Sequence, residues 1–140
     1  MLSDDDNKLI EAARETIRLR YRNDRHEVAA ALRTRDGRIV TAINLDTYLG
    51  RMATCAEPVA IGRAITESGD RGIDTIVAVR HPKPEDADRG IRVVSPCGIC
   101  REVIYDYDHN ARVIVPDGNG ETVMQIAALL PNKYTRGQAG

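Results

Sequence analysis

Aromatic residues are scarce in this sequence. Tryptophan and phenylalanine are absent, and the five tyrosines are scattered. A nucleic-acid groove needs stacking rings beside a basic stripe, and the chain has neither. No basic run occurs: 20 Lys and Arg are mixed with 21 Asp and Glu for a net charge of −1. No nucleic-acid partner is expected. Long apolar runs are also missing, so no membrane partner is expected. The N-terminus, Met1-Leu2-Ser3-Asp4-Asp5-Asp6, is acidic and lacks the basic-then-apolar order of a signal peptide. Cysteine is rare as well. Three residues, two of them in a C-x-x-C, are too few for a disulfide framework. They suit a reducing compartment, the cytoplasm, and a metal or redox role. There is no internal repeat and no low-complexity segment. The 140 residues are read as one domain, 1–131, followed by a polar tail, 132–140.

What is present is periodic. Leu9, Ile10, Ala13, Ile17 and Tyr21 recur at helical spacing, and Ser3 with Asp6 resembles a capping pair, so residues 3–21 predict an amphipathic helix. A polar connection, 22–26, leads to two strands, 28–34 and 38–44, joined by Asp36-Gly37 as a hairpin turn. After a loop over 45–53, Thr54 is expected to cap a second helix. Glu57 would be its third residue, and Gly69 its stop. Residues 73–79 read as a strand covered on both faces. Residues 81–90, with their prolines and charges, read as an exposed loop. Residues 91–94 lead into a helix running to about 107. A buried strand, 111–115, a turn, 117–120, and a last helix, 124–130, stopped by Pro131, complete the order. Helices alternating with buried strands predict an α/β layered domain with a mixed sheet.

The chemistry gathers in Ser95-Pro96-Cys97-Gly98-Ile99-Cys100-Arg101. Ser95 is a good N-cap and Pro96 suits the first helical position. Cys97 and Cys100 would then share one face of a first helical turn, whose free N–H groups favour thiolates. The third cysteine stands in Thr54-Cys55-Ala56-Glu57, also at a helix start. In open α/β sheets such loops converge outside the carboxyl ends of strands, so all three sulfurs can meet on one zinc ion.

Three thiolates leave a fourth tetrahedral position for water, the pattern of catalytic zinc. A closed structural site would need His26, His81 or His109, none of which has zinc-finger spacing. A metal-free redox C-x-x-C is the third reading. Glu57 is either the far end of a Thr54 capping box or a proton carrier at the metal. Arg101 is either a solvated surface residue or a guanidinium that offsets the negative charge of zinc with three thiolates. Asn44 and Asp46 alternate at a strand end. They are either turn formers bonded to nearby backbone or a pair that holds a sugar hydroxyl.

Cys55-Ala56-Glu57 with Pro96-Cys97-Gly98-Ile99-Cys100-Arg101 resembles the small zinc-dependent cytidine deaminases. Residues 28–32 before the Asp-Gly hairpin resemble that family's first strand, and Leu129-Leu130-Pro131 resembles its C-terminal motif. The opening helix and this ending also resemble the blasticidin S deaminases of the same superfamily. The resemblance implies a three-layer α/β/α fold, one Zn2+ per chain on Cys55, Cys97 and Cys100, a homotetramer, and hydrolytic loss of ammonia from a cytosine nucleoside. Glu57 would carry the protons, and the Ala56 N–H would hold the ring carbonyl. Asn44-Leu45-Asp46 occupies the place of the family's ribose-binding Asn-x-Glu, with Asp46 one methylene shorter. His26 stands where a phenylalanine commonly lies beside the base. Pro58 replaces a usual arginine, leaving Arg101 as the main charge compensator, and Glu102 replaces a usual glutamine. A cytosine-bearing antibiotic is the alternative substrate, and a non-enzymatic zinc protein the alternative of another kind.

Overall fold

A computed structural model describes residues 2–137. Helix α1 spans Asp4–Arg20 and opens with the expected reciprocal pair. The Asp6 N–H donates to Ser3 Oγ, and the Ser3 N–H donates to the Asp6 carboxylate. The same carboxylate, fully buried, takes two 3.0 Å bonds from Arg112. This fork ties the start of α1 to a strand on the far side of the chain. Strands β1, Val28–Arg33, and β2, Ile39–Ile43, form the expected hairpin. Gly37 turns it at φ +92°, a conformation that favours glycine. Helix α2 is Ala56–Ser68, and β3 is Thr75–Arg80. Strand β4, Arg92–Val94, precedes α3, Gly98–Tyr107. Strands β5, Arg112–Asp117, and β6, Gly120–Gln125, close the sheet.

The sheet order is β2-β1-β3-β5-β6. Strands β3 and β5 pair in parallel and the other pairs are antiparallel among the described residues, which makes the sheet mixed. Along the same edge of β3, β5 pairs at Thr75 and Ile76, while β4 pairs antiparallel at Ala78–Arg80. Alternation sorts the side chains into two cores. Ala29, Ala31, Val77, Val79 and Ile114 pack under α1. Ala30, Leu32, Val40, Ala78 and Val113 pack under α2 and α3. The short side chains of Ala29, Ala30 and Ala31 let helices approach the central strand closely from both sides. The three layers match the expected α/β/α arrangement.

Three local expectations are corrected. The first residue before α2 is Cys55, not Thr54. Thr54 is held in a backbone bridge with Leu45, and its hydroxyl donates to the Met52 carbonyl. The third helical residue is therefore Pro58, which has no N–H to cap, and the Thr54–Glu57 box does not form. Likewise α3 begins after Cys97, with Ser95 and Pro96 still outside the helix. The expected last helix is β6 followed by a short 3₁₀ turn, Ile126–Leu129. Gly118, at φ +60°, returns the chain along the free edge of β5, where β-branched Thr122 and Val123 pair better than they would coil. Within the expected tail, the Lys133 ammonium pairs with Glu102 at 2.9 Å and Asp106 at 3.0 Å over the Tyr105 ring. Residues 138–140 lie outside the described residues.

Candidate metal centre and active site

The caps of α2 and α3 are both cysteines. Cys55 and Cys97 each hold extended backbone immediately before a helix, so their sulfurs sit at two helix N-termini. Cys55 Sγ lies 3.6 Å from Cys97 Sγ, and Cys97 Sγ lies 3.4 Å from Cys100 Sγ. All three sulfurs fall within 4.8 Å of one another. Tetrahedral Zn–S bonds of about 2.3 Å require sulfurs about 3.8 Å apart, so the trio is near zinc geometry. A disulfide, at about 2.05 Å, is excluded, and all three thiols are free.

The electrostatics fit a cation. Burial pushes the Cys100 thiol up, and the Glu57 carboxylate adds to the rise. Burial also raises Cys55, helped by the neighbouring Cys97. At Cys97 burial works upward too, but the backbone amides of Cys100 and Ile99 and the two neighbouring thiols outweigh it and hold the thiol below its ordinary value. Protein groups alone therefore favour one thiolate and oppose the others. A divalent ion supplies the missing positive charge.

Glu57 is 5% exposed, and burial raises its carboxyl. It lines a cavity of about 280 Å3 together with Cys55, Cys97 and Ala56. The cavity opens where β1 begins at Val28, where β2 has just ended before Asn44, and where β4 ends at Val94. Asn44 and Asp46 are on its wall. The Asn44 side chain is largely committed: Oδ1 accepts from the Glu27 and Val28 amides, and Nδ2 donates to the Arg25 carbonyl. Asp46 is exposed and, among the described residues, accepts only from the Thr47 amide. His26 is not among the lining residues, and its Nδ1 bonds the Asn44 carbonyl at 2.9 Å.

The Arg101 guanidinium donates to the Pro96 carbonyl at 2.9 Å and the Leu129 carbonyl at 3.4 Å. It braces the peptide that carries Cys97 against the 3₁₀ turn. The remaining walls, Leu45, Ala53, Thr54 and Ser95, were not singled out from sequence for this cavity. They flank the motifs but carry no chemistry that would distinguish them.

Comparison with known proteins agrees with this geometry. Residues 3–116 match the family model described as the cytidine and deoxycytidylate deaminase zinc-binding region. The chain is 47% identical over 136 residues to a blasticidin-S deaminase of Bacillus cereus, covering 96% of each chain. It is 30% identical over 125 residues to a cytidine deaminase of Halalkalibacterium halodurans, covering 88% of this chain and 86% of that one. The crystal structure of a Burkholderia pseudomallei cytidine deaminase superposes with a TM-score of 0.73 at 25% identity, over 95% of this chain and all of that one. A Bacillus anthracis cytidine deaminase, 21% identical and with a TM-score of 0.76, shares the fold over 91% of this chain and 88% of its own. This chain thus belongs to the cytidine deaminase family of zinc-dependent hydrolytic aminohydrolases.

Proposed function

We propose that the protein removes the amino group of a cytosine nucleoside by hydrolysis, giving the uracil form and ammonia. The observation that carries this reading is the placement of Glu57. It is buried, adjoins three sulfurs of zinc geometry, and lies on the wall of a cavity open to solvent. Cys55, Cys97 and Cys100 would hold the zinc, which would lower the pKa of the water that serves as nucleophile.

The chain's own groups do the rest. Glu57 takes a proton from the attacking water and delivers it to N3 as the water oxygen bonds C4, then carries that water's second proton to the amine, which leaves C4 as ammonia. Its raised pKa suits a group that must hold a proton between these steps. The Ala56 N–H, free at the first turn of α2, holds the ring carbonyl. Asp46 accepts from a sugar hydroxyl, while Asn44 shapes the wall and has one N–H left to donate. His26 stands off the cavity wall and acts on the substrate side only through its bond to the Asn44 carbonyl. Arg101 adds positive charge at the metal loop.

Two substrates are in view. Cytidine or deoxycytidine is the first. A cytosine-bearing antibiotic is the second, favoured by 47% identity to a protein named blasticidin-S deaminase. A structural zinc site is less favoured, because the metal-ligand group found among the described residues contains no fourth residue. His26, His81 and His109 are engaged elsewhere.

Residues 1–131 are taken as one catalytic domain, active in the cytoplasm, where thiols stay reduced. We also read the protein as a homotetramer. Leu45, Tyr48, Leu49 and Met52 are exposed in the segment beside the cavity, an apolar set that a second copy would cover. A monomer at micromolar concentration in sizing with light scattering would remove that assembly.

The first experiment is a turnover panel of free bases, nucleosides, nucleotides and cytosine antibiotics with zinc-loaded protein. Ammonia release from a nucleoside or an antibiotic upholds the reading and separates the two. Retained zinc without turnover of any compound overturns it.

A further inference from the structure

We infer that Lys133 is a positioning residue for the metal: its ammonium clamps the end of the chain onto α3 and so governs how long Cys97 and Cys100 hold the zinc. Retention of the ion does not depend on which cytosine compound is turned over.

Two of the three sulfurs ride on α3. Cys97 is its cap and Cys100 lies in its first turn, while Cys55 belongs to the start of α2. A roll or fraying of α3 therefore carries two ligands away from the third. By its own sequence α3 is poorly secured. It has 10 residues, fewer than the roughly 12–15 an isolated helix needs. Its cap makes no side-chain bond, its first turn has no acid, and its last turn has no base. Asp106 instead puts a carboxylate in the last turn, where the helix dipole disfavours it. Glu102 stands four residues earlier on the same face, so the two acids repel each other. Glu102 is also the residue that fills the place of the family's usual glutamine.

Lys133 answers these deficits from outside the helix. Its ammonium lies 2.9 Å from Glu102 and 3.0 Å from Asp106, and donates to the Tyr134 carbonyl at 2.8 Å. Those three contacts use its three N–H donors. It also sits 5.1 Å from the centre of the Tyr105 ring, within reach of a cation–π contact. The Lys133 side chain is 6% exposed, against 48% for Glu102 and 60% for Asp106. Exposed carboxylates make each ion pair weak by itself. One enclosed cation shared by two like charges is a different case, because removing it leaves the acids opposed. Arg101 extends the attachment, donating to the Leu129 carbonyl and to the Pro96 carbonyl beside Cys97. Residues 129–134 are thus bonded to α3 through its residues 101, 102 and 106. Cys100 and Ile104 are fully buried, so the close-packed helix shifts as one body and a hold on its far half reaches the sulfurs.

The test reads metal rather than turnover. Zinc-loaded wild type, Lys133→Met, Lys133→Arg and Glu102→Gln are mixed with an excess of a chromophoric chelator, and zinc release is timed. A protein that deaminates none of the compounds tried still reports on the clamp, so failure of the substrate reading and failure of the clamp are separate results. Lys133→Met should release zinc about tenfold faster, the scale for partners outside the ligand shell. Lys133→Arg should return the rate close to wild type, and Glu102→Gln should fall between. In a Glu102→Gln/Asp106→Asn background Lys133→Met should change little, because the acids it joins are gone. Cobalt-substituted variants should keep the thiolate absorption bands of the wild type, as the same three ligands remain. Global unfolding of the zinc-loaded proteins is timed in parallel. Unchanged release in Lys133→Met, no rescue by Lys133→Arg, the full effect in the background without the acids, or release that speeds up only as much as global unfolding overturns the inference. If Lys133→Met does not fold, Glu102→Gln decides, being nearly isosteric and half exposed: release at the wild-type rate overturns the clamp, and faster release upholds it.

Discussion

Cys55 and Cys97 stand 42 positions apart, yet their sulfurs lie 3.6 Å from each other, each on the cap residue of its own helix. The two helix starts form one binding corner, and Cys100, one turn into α3, completes it.

The purified protein should therefore hold one zinc per chain by elemental analysis. Cys100→Ser should lose it, because Cys100 is fully buried and no further residue among those described joins the group. Chelation should lower the unfolding midpoint, since ligand binding energy is also folding energy. Full zinc content in Cys100→Ser would mean that the metal sits elsewhere.

Glu57→Gln keeps the volume of the side chain and removes its proton chemistry. Zinc content should be unchanged while kcat falls by a factor of about 10²–10⁴, the usual scale for general acid–base work. Near-normal turnover would remove Glu57 from the reaction.

Asp46 accepts from its neighbour's amide and borders the cavity. Asp46→Ala should raise the barrier in kcat/KM by about 1–3 kcal/mol for a substrate with the hydroxyl it holds. A substrate lacking that hydroxyl should lose little. Equal losses on both would place Asp46 outside the sugar contact.

Asp6 governs acid stability. Burial alone would raise its carboxyl, but the bonds from Arg112 and Ser3 hold it below its ordinary value. A depressed folded-state pKa gives stability that is complete above the unfolded value of about 3.9 and is lost as pH falls through the folded value. Asp6→Asn should destabilise by about 2 kcal/mol at neutral pH, with the gap to wild type closing below about pH 4. A pH-independent gap would show that the charge is not the cause.

Thr54→Ala tests the displaced cap. Among the described residues its hydroxyl bonds only the Met52 carbonyl, at 3.3 Å, so denaturant unfolding should register a loss below about 0.5 kcal/mol. A loss of about 1 kcal/mol or more would indicate a working N-cap.

The sequence by itself determined the parts whose causes are local. The period of Leu9, Ile10, Ala13 and Ile17 made α1, the Ser3–Asp6 pair started it, and Asp36-Gly37 set the first hairpin. The three cysteines and Glu57 were legible because thiolates in C-x-x-C and C-A-E spacing have few other uses. Tertiary structure decided the rest. Residues 120–125 became a strand because β5 offered an unpaired edge, which no local pattern records. Thr54 gave up the cap because Leu45, at the other end of the same connection, took its backbone. Glu57 is buried, and Cys55 meets Cys97, only because α2 and α3 pack on the same face of one sheet and start at the same corner. Convergence of this kind depends on long-range packing. A sequence names the ligands, and only the packed layers bring them within bonding distance.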